Sequence, residues 1–102
     1  MREMHIAMCL IEQDGFYLLQ RRLGDPKIGA AGLLGCFGGK IEANESADHA
    51  ICRELSEETN LSVSESDIVE IGKVSVVSDN NHEPVSVFAT VFRAILNCKV
   101  IV

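Results

Sequence analysis

Apolar and polar positions along the chain divide it into short blocks, each with its own period. Residues His5 to Glu12 form an almost unbroken apolar run, which predicts a strand. Asp14-Gly15 is a tight-turn dipeptide, and Phe16 to Gln20 predicts the returning strand of a hairpin. Arg21 to Gly35 predicts a loop, broken by Gly24, Pro26, Gly29, Gly32 and Gly35. A short apolar piece, Cys36-Phe37, then runs into Gly38-Gly39. The one helical period spans Ser46 to Thr59, with Asn44 or Glu45 near its start. Ile68 to Val77 is rich in β-branched residues and predicts a strand, and Asp79 to Pro84 a dense turn. Val85 to Leu96 predicts a long strand, apolar on both faces and so expected to be central and buried on both sides. The sum is α+β: a mixed or antiparallel sheet with one helix packed on it. No internal repeat, low-complexity tract or linker interrupts it.

The helix departs from ordinary amphipathic patterning. At about 100° per residue with Glu54 as origin, Ala47, Ala50, Ile51 and Leu55 centre at about 35°. Glu58 falls at about 40° and Glu57 at about −60°, so two carboxylates share the apolar sector and a third borders it. A solvated acidic face would lie opposite, where His49 and Ser56 are. Carboxylates crowded in a partly dry sector repel one another and need compensation. Arg53, at about −100°, is expected to neutralise one of them. A hard divalent cation, Mg²⁺ or Mn²⁺, answers the rest, since it takes carboxylate oxygens and keeps waters. Protonation, or ion pairs to Lys40, Arg21 or Arg22, is the alternative. The three histidines are scattered and carry no ligand spacing. Gly38-Gly39-Lys40 just ahead of the helix is a place where backbone can approach a ligand closely.

Composition narrows the partners. The 102 residues carry 15 acids against 9 Lys+Arg, a net charge of −6, with 47% hydrophobic residues. This fits a single domain over 1–102, too short for two cores. Nine of the acids fall between Glu42 and Glu70, with Arg53 the only base there. An acidic surface argues against duplex nucleic acid or an anionic membrane as partner, yet admits a polyphosphate when a cation lies between. No window reaches the roughly 18 apolar residues of a membrane span, and the N-terminus is too short and charged for a signal peptide. Cys9, Cys36, Cys52 and Cys98 show no Cys-x-x-Cys spacing and are expected to be reduced thiols, mostly buried, in a cytoplasmic protein.

One fixed spacing is more specific than any of this. Gly39, five residues, Glu45, seven residues, then Arg53-Glu54-Leu55-Ser56-Glu57-Glu58-Thr59-Asn60-Leu61 resembles the Nudix box, matching each fixed position except Asn60, where the family usually has Gly. The pattern spans 23 residues. The approach Cys36-Phe37-Gly38-Gly39-Lys40-Ile41-Glu42 and the hairpin ahead of it look like the MutT-like branch, and the looser resemblance runs from His5 to Leu96. Asn60 ends the helix, where a left-handed residue is wanted; Asn is the next choice after Gly.

The resemblance implies a Nudix-like mixed sheet with a catalytic helix, and roles for particular residues. Glu57 and Glu58 would be the principal Mg²⁺ ligands, with Glu54 a further ligand or the base that orients water, and the Gly38 carbonyl completing the shell. Arg53 would hold the acidic cluster by pairing with Glu45 or Glu57. Gly39 would permit the tight turn, and Lys40 would approach substrate phosphate. Phe37, Phe16 and Phe88 are candidates to stack on a base, and core packing is the competing role for each. The implied reaction is Mg²⁺-dependent hydrolysis of nucleoside diphosphate-linked compounds, in the MutT-like case nucleoside triphosphates, oxidised dGTP among them, cut to monophosphate and pyrophosphate. No Pro or Tyr occupies Ser75 to Ser78, where the ADP-ribose and dinucleoside polyphosphate branches are marked. Relatives of this type usually continue into a further strand and a C-terminal helix. Here the chain ends on the apolar run Lys99-Val100-Ile101-Val102, so a shortened protein with the final helix missing is expected, or a homodimer that covers the apolar C-terminal face. The competing function is a non-catalytic or vestigial nucleotide-binding module.

Overall fold

The computed structural model describes residues 2–21, 34–80 and 83–96. The strands are β1 (Arg2–Gln13), β2 (Phe16–Leu18), β3 (Gln20–Arg21), β4 (Leu34–Gly35), β5 (Phe37–Lys40), β6 (Ile68–Asn80) and β7 (Glu83–Ile95); the helix is α1 (Ala47–Thr59), followed by a short 3₁₀ turn, Glu65–Asp67. The main sheet runs β2-β1-β7-β6, and β5 joins the same edge of β1 as β2. β1 pairs with β7 in parallel and with β2 and β5 antiparallel, so the sheet is mixed. β3 and β4 form a separate two-stranded pair.

Local chemistry sets the element ends. Asp14 and Gly15 both take positive φ, 53° and 81°, and close the β1–β2 hairpin in the sense that right-twisted strands favour. Ser46 caps α1 by accepting from the His49 amide, one residue after Glu45 and two after Asn44. Asn60 ends α1 in the left-handed conformation at φ 61°, its amide donating to the Ser56 carbonyl. The helix therefore tolerates Asn where Gly is usual, because a short polar side chain enters this region at low cost. The strands outrun their sequence limits, with β6 and β7 reaching Asn80 and Glu83 into the stretch expected to be all turn.

The core lies between α1 and one face of the sheet. Ala50, Ile51 and Leu55 from the helix meet Ala7, Cys9 and Ile11 of β1, Phe37 of β5, and Phe92 and Ala94 of β7, all buried. β7 is central, as expected, and buries residues on both faces, Phe92 and Ala94 under α1 and Val85 and Ala89 on the reverse, but it is not buried along its whole length. α1 lies over β5 and β1, so Phe88 stays exposed, stacked on His5 at 5.2 Å between ring centroids. Around the buried Val85 and Ala89, the opposite face carries Met4, Ile6, Met8 and Leu10 beside Val87 and Val91, which are only half-buried. The one α-helix among the described residues, 13 residues long, lies on a single face and is too narrow to cover even that face across the whole sheet.

Cys9 and Cys52 are buried and Cys36 half-buried, each a free thiol. Burial pushes the Cys9 thiol up to about 12, with Cys36 and Cys52 adding to the shift. Cys98, the loop residues 22–33, including Arg22, and the apolar run 99–102 lie outside the described residues. No helix among the described residues is long and apolar enough to cross a membrane.

Leu55 is fully buried at the centre of the helix–sheet contact. Leu55→Ala is expected to cost about 2–5 kcal/mol of unfolding free energy in a urea titration, the range for a buried leucine whose cavity relaxes incompletely.

Candidate active site

α1 runs across β5 so that the end of each meets the middle of the other, and this crossing makes the site. At Gly38 φ is 141°, and a Cβ there would lie 2.1 Å from the Ala7 carbonyl oxygen, so only glycine lets β5 pair this closely with β1. The Gly38 amide is thereby turned to the helix side and donates to Glu58 Oε1 at 3.0 Å. Gly39 has no strain of its own. A Cβ on it would sit 2.6 Å from the Glu54 carboxyl carbon, so the missing side chain is the space that the Glu54 carboxylate fills.

Arg53 organises the approach to this crossing. Its Nε donates to Glu45 Oε2 at 2.8 Å and its Nη2 to Glu45 Oε1 at 3.0 Å, a two-pronged fork on a carboxylate 6% exposed. Its Nη1 donates to Glu54 Oε1 at 2.9 Å, and Nη2 also reaches the Lys40 carbonyl at 3.1 Å. One guanidinium thus holds two carboxylates and the end of β5, where helical angles allowed it only one. Glu57 Oε1 lies further off, at 3.7 Å. Of the two partners expected for Arg53, Glu45 is the principal one. The fork pulls the Glu45 carboxyl down to about 2, helped by the Glu42 amide and by His49, whose Nδ1 is 3.0 Å away. The Arg53 guanidinium is raised in turn by the same contacts.

The expected site residues divide by position. Gly38, Gly39, Arg53, Glu54 and Glu58 meet at the crossing. Glu57 sits on the same helical edge with its side chain 61% exposed. Lys40 is exposed one residue beyond Gly39. Phe37 is a correction: its ring is 3% exposed inside the core under α1, because the strand alternation that turns Gly38 outward turns Phe37 inward, and it offers no face to a base. Phe16 and Phe88 are exposed rather than core. Gln20, unremarked in sequence, touches the site: its Nε2 lies 3.3 Å from the Cys36 carbonyl and 3.5 Å from Glu58 Oε2. A contact spanning 38 residues leaves no local signal. His49, read from sequence only as part of the face opposite the site, reaches Glu45 four residues earlier, a spacing that was the available signal.

Glu54, Glu57, Glu58 and the Gly38 carbonyl offer only hard oxygen donors, the set that Mg²⁺ or Mn²⁺ prefers. The cradle left open by Gly39 keeps one of these carboxylates against the backbone. Among the described residues no three acidic, His or Cys side chains converge on one point, so a cation would draw the exposed Glu57 and the Glu58 carboxylate together rather than enter a finished cage. By donor chemistry the residues fit such an ion.

Residues 1–98 match the NUDIX domain family. The fold is similar to the MutT protein from Methanosarcina mazei Go1, with a TM-score of 0.79 and 26% identity over 99% of this chain and 70% of that one. It is similar to the MutT NUDIX hydrolase from Burkholderia pseudomallei, with a TM-score of 0.78 and 26% identity over 98% and 72%. The dihydroneopterin triphosphate pyrophosphohydrolase of E. coli shares the fold, with a TM-score of 0.71 and 16% identity over 95% and 72%. Comparison with curated proteins gives no match.

Two outcomes follow from the crossing. Gly39→Ala meets only a movable carboxylate and should leave the fold intact in circular dichroism while displacing Glu54; Gly38→Ala meets backbone and should lower stability by about 1–3 kcal/mol or more. The Glu45 carboxyl sits below its ordinary value of 4.5, so its pairing with Arg53 is fully stabilising above about pH 4.5 and is lost as pH falls toward about 2. Thermal unfolding followed at stepped pH should show Glu45→Gln removing that part of the acid sensitivity and leaving the profile above pH 4.5 parallel to the parent's.

Proposed function

Because this chain belongs to the Nudix family, hydrolases of phosphorus-containing acid anhydrides, we propose that it hydrolyses nucleoside diphosphate-linked compounds, and specifically nucleoside triphosphates, to a monophosphate and pyrophosphate. The observation that carries this reading is the pair of carboxylates, Glu54 and Glu58, held against Gly38-Gly39 at the helix crossing. The MutT-like sequence around Gly38-Gly39 implies the triphosphate as substrate, with oxidised guanine nucleotides within that class, and the likeness to two MutT proteins agrees with that branch. The shared fold of the dihydroneopterin triphosphate enzyme is compatible with it.

Each residue then has a task. Glu57 and Glu58 would hold Mg²⁺, or Mn²⁺ in its place, with the Gly38 carbonyl as a backbone donor. When bound, such an ion supplies charge neutralisation for the phosphates and acidifies water. Glu54 lies beside this position, fixed by Arg53, and orients the attacking water or accepts its proton. Water adds to phosphorus, the anhydride P–O bond breaks, and pyrophosphate leaves. Arg53 spends its hydrogen bonds on Glu45, Glu54 and Lys40, so it positions the acids and does not reach substrate. Lys40, exposed beside the crossing, supplies positive charge to a protein whose net charge of −6 would otherwise repel a polyphosphate.

The test is a panel of nucleoside triphosphates, oxidised dGTP, dinucleoside polyphosphates and nucleotide sugars, with and without Mg²⁺, read as released pyrophosphate and monophosphate. Triphosphate turnover that stops on chelation is expected. Glu57→Gln and Glu58→Gln, both exposed positions, should lose about 10²-fold or more of that turnover while keeping the parent's circular dichroism. Cation-dependent nucleotide binding without turnover anywhere in the panel would replace this reading with a non-catalytic module.

A further inference from the structure

The outer edge of β6 is the least defended surface among the described residues. β6 is the last strand of the main sheet, and none of the described residues pairs with its free side. Edge strands are usually kept short, or guarded by charge or proline. β6 is 13 residues long and has neither Pro nor a run of charge. Val69, Ile71, Val74, Val76 and Val77 are each about half-exposed or more. Between Ile68 and Val77 the only charges are Glu70 and Lys73, one of each sign.

A bulge makes these two charges complementary to themselves. Glu70 pairs with Phe92 on β7, but the register shifts between Glu70 and Gly72, after which Lys73 pairs with Thr90. In a regular strand, residues three apart point to opposite faces. Ile71 is the extra residue, so Glu70 and Lys73 point to the same face, the one that carries α1. The same shift puts Val69 and Val74 together on the other face, and it brings residues 70 and 73 into the same phase of the ladder, so that their backbone groups point to the same side of the strand.

We propose that β6 pairs antiparallel with β6 of a second copy about a two-fold axis between Ile71 and Gly72. In that register Glu70 of each chain faces Lys73 of the other on one side of the joined sheet. Val69 faces Val74 on the reverse side, and Ile68 faces Ser75. A two-fold demands that one strand be its own partner, with opposite charges and like apolar groups meeting across the axis. The bulge supplies that match; a straight strand of the same sequence would put the Glu–Lys pair on opposite faces. The pairing extends the sheet and leaves the α1–β5 crossing outside the contact, so it does not depend on the hydrolase reading.

The experiment is sedimentation equilibrium on the whole chain over a concentration series, with charge reversals. The parent is expected to dimerise. Glu70→Lys alone and Lys73→Glu alone set like charges face to face, and each should weaken the dimer about tenfold or more. The double reversal should restore it, and an equimolar mixture of the two single variants should form the heterodimer. A monomeric parent at every concentration overturns the proposal, as does a dimer indifferent to both reversals, which would place the contact on another surface. Hydrogen exchange on the parent is a check that needs no variant: amides of residues 68–75 should gain protection as concentration rises, and unchanged exchange there also overturns it. Activity is not read, so the outcome stands apart from that of the substrate panel.

Discussion

A guanidinium placed between two carboxylates governs the rest of this molecule. Arg53 grips Glu45 with two hydrogen bonds and Glu54 with a third, and ties both to the last residue of β5 through the Lys40 carbonyl. Without that grip, Glu54 would be an acid turned toward a mostly apolar helix–sheet seam, where an unpaired charge is costly. With it, the acid can be retained a short step from backbone that bends sharply. The helix is fixed in register against β5 by the same contacts. The site is thus a consequence of how one polar network reconciles charge with burial.

The division of labour among the glycines reinforces this. Gly38 is needed by backbone, since β1 approaches too closely for any side chain. Gly39 is needed by a side chain, since its empty position holds the Glu54 carboxylate. Adjacent identical residues therefore answer to different constraints. The acids grade outward in the same way, from the nearly buried Glu45, through the clamped Glu54, to the exposed Glu57. The inner members give rigidity, and the outer member keeps the freedom to meet a ligand.

Much of this was legible in the residues. The helix, its left-handed end at Asn60 and the hairpin at Asp14-Gly15 follow from local patterns whose physics is local. The strands were legible in the same way, but local pattern left the sheet mixed or antiparallel, because the parallel β1–β7 pairing joins residues distant in sequence. The partnership of Arg53 with Glu45 was legible only through the family resemblance, which offered Glu45 or Glu57, since Glu45 lies ahead of the N-cap where no helical period reaches. The dual grip of Arg53 was not legible, because helical angles fix directions and say nothing of the reach of a long side chain. Phe37 was misjudged for a related reason: two residues of strand alternation decide whether an aromatic faces the core, and the register came from pairing with β1. Gln20 beside Glu58 and the bulge at Ile71 depend on contacts distant in sequence, and no period announces them.

The proposed function requires the dispersed carboxylates at the α1–β5 crossing to close on one cation. Titrating Mn²⁺ into isotopically labelled protein tests this most directly, because the paramagnetic ion broadens amide resonances according to proximity. Gly38, Gly39 and residues 54–58 are expected to broaden first and together, at substoichiometric ion. Broadening spread evenly over the acidic surface, with residues 65–70 affected as early as the crossing, would contradict it.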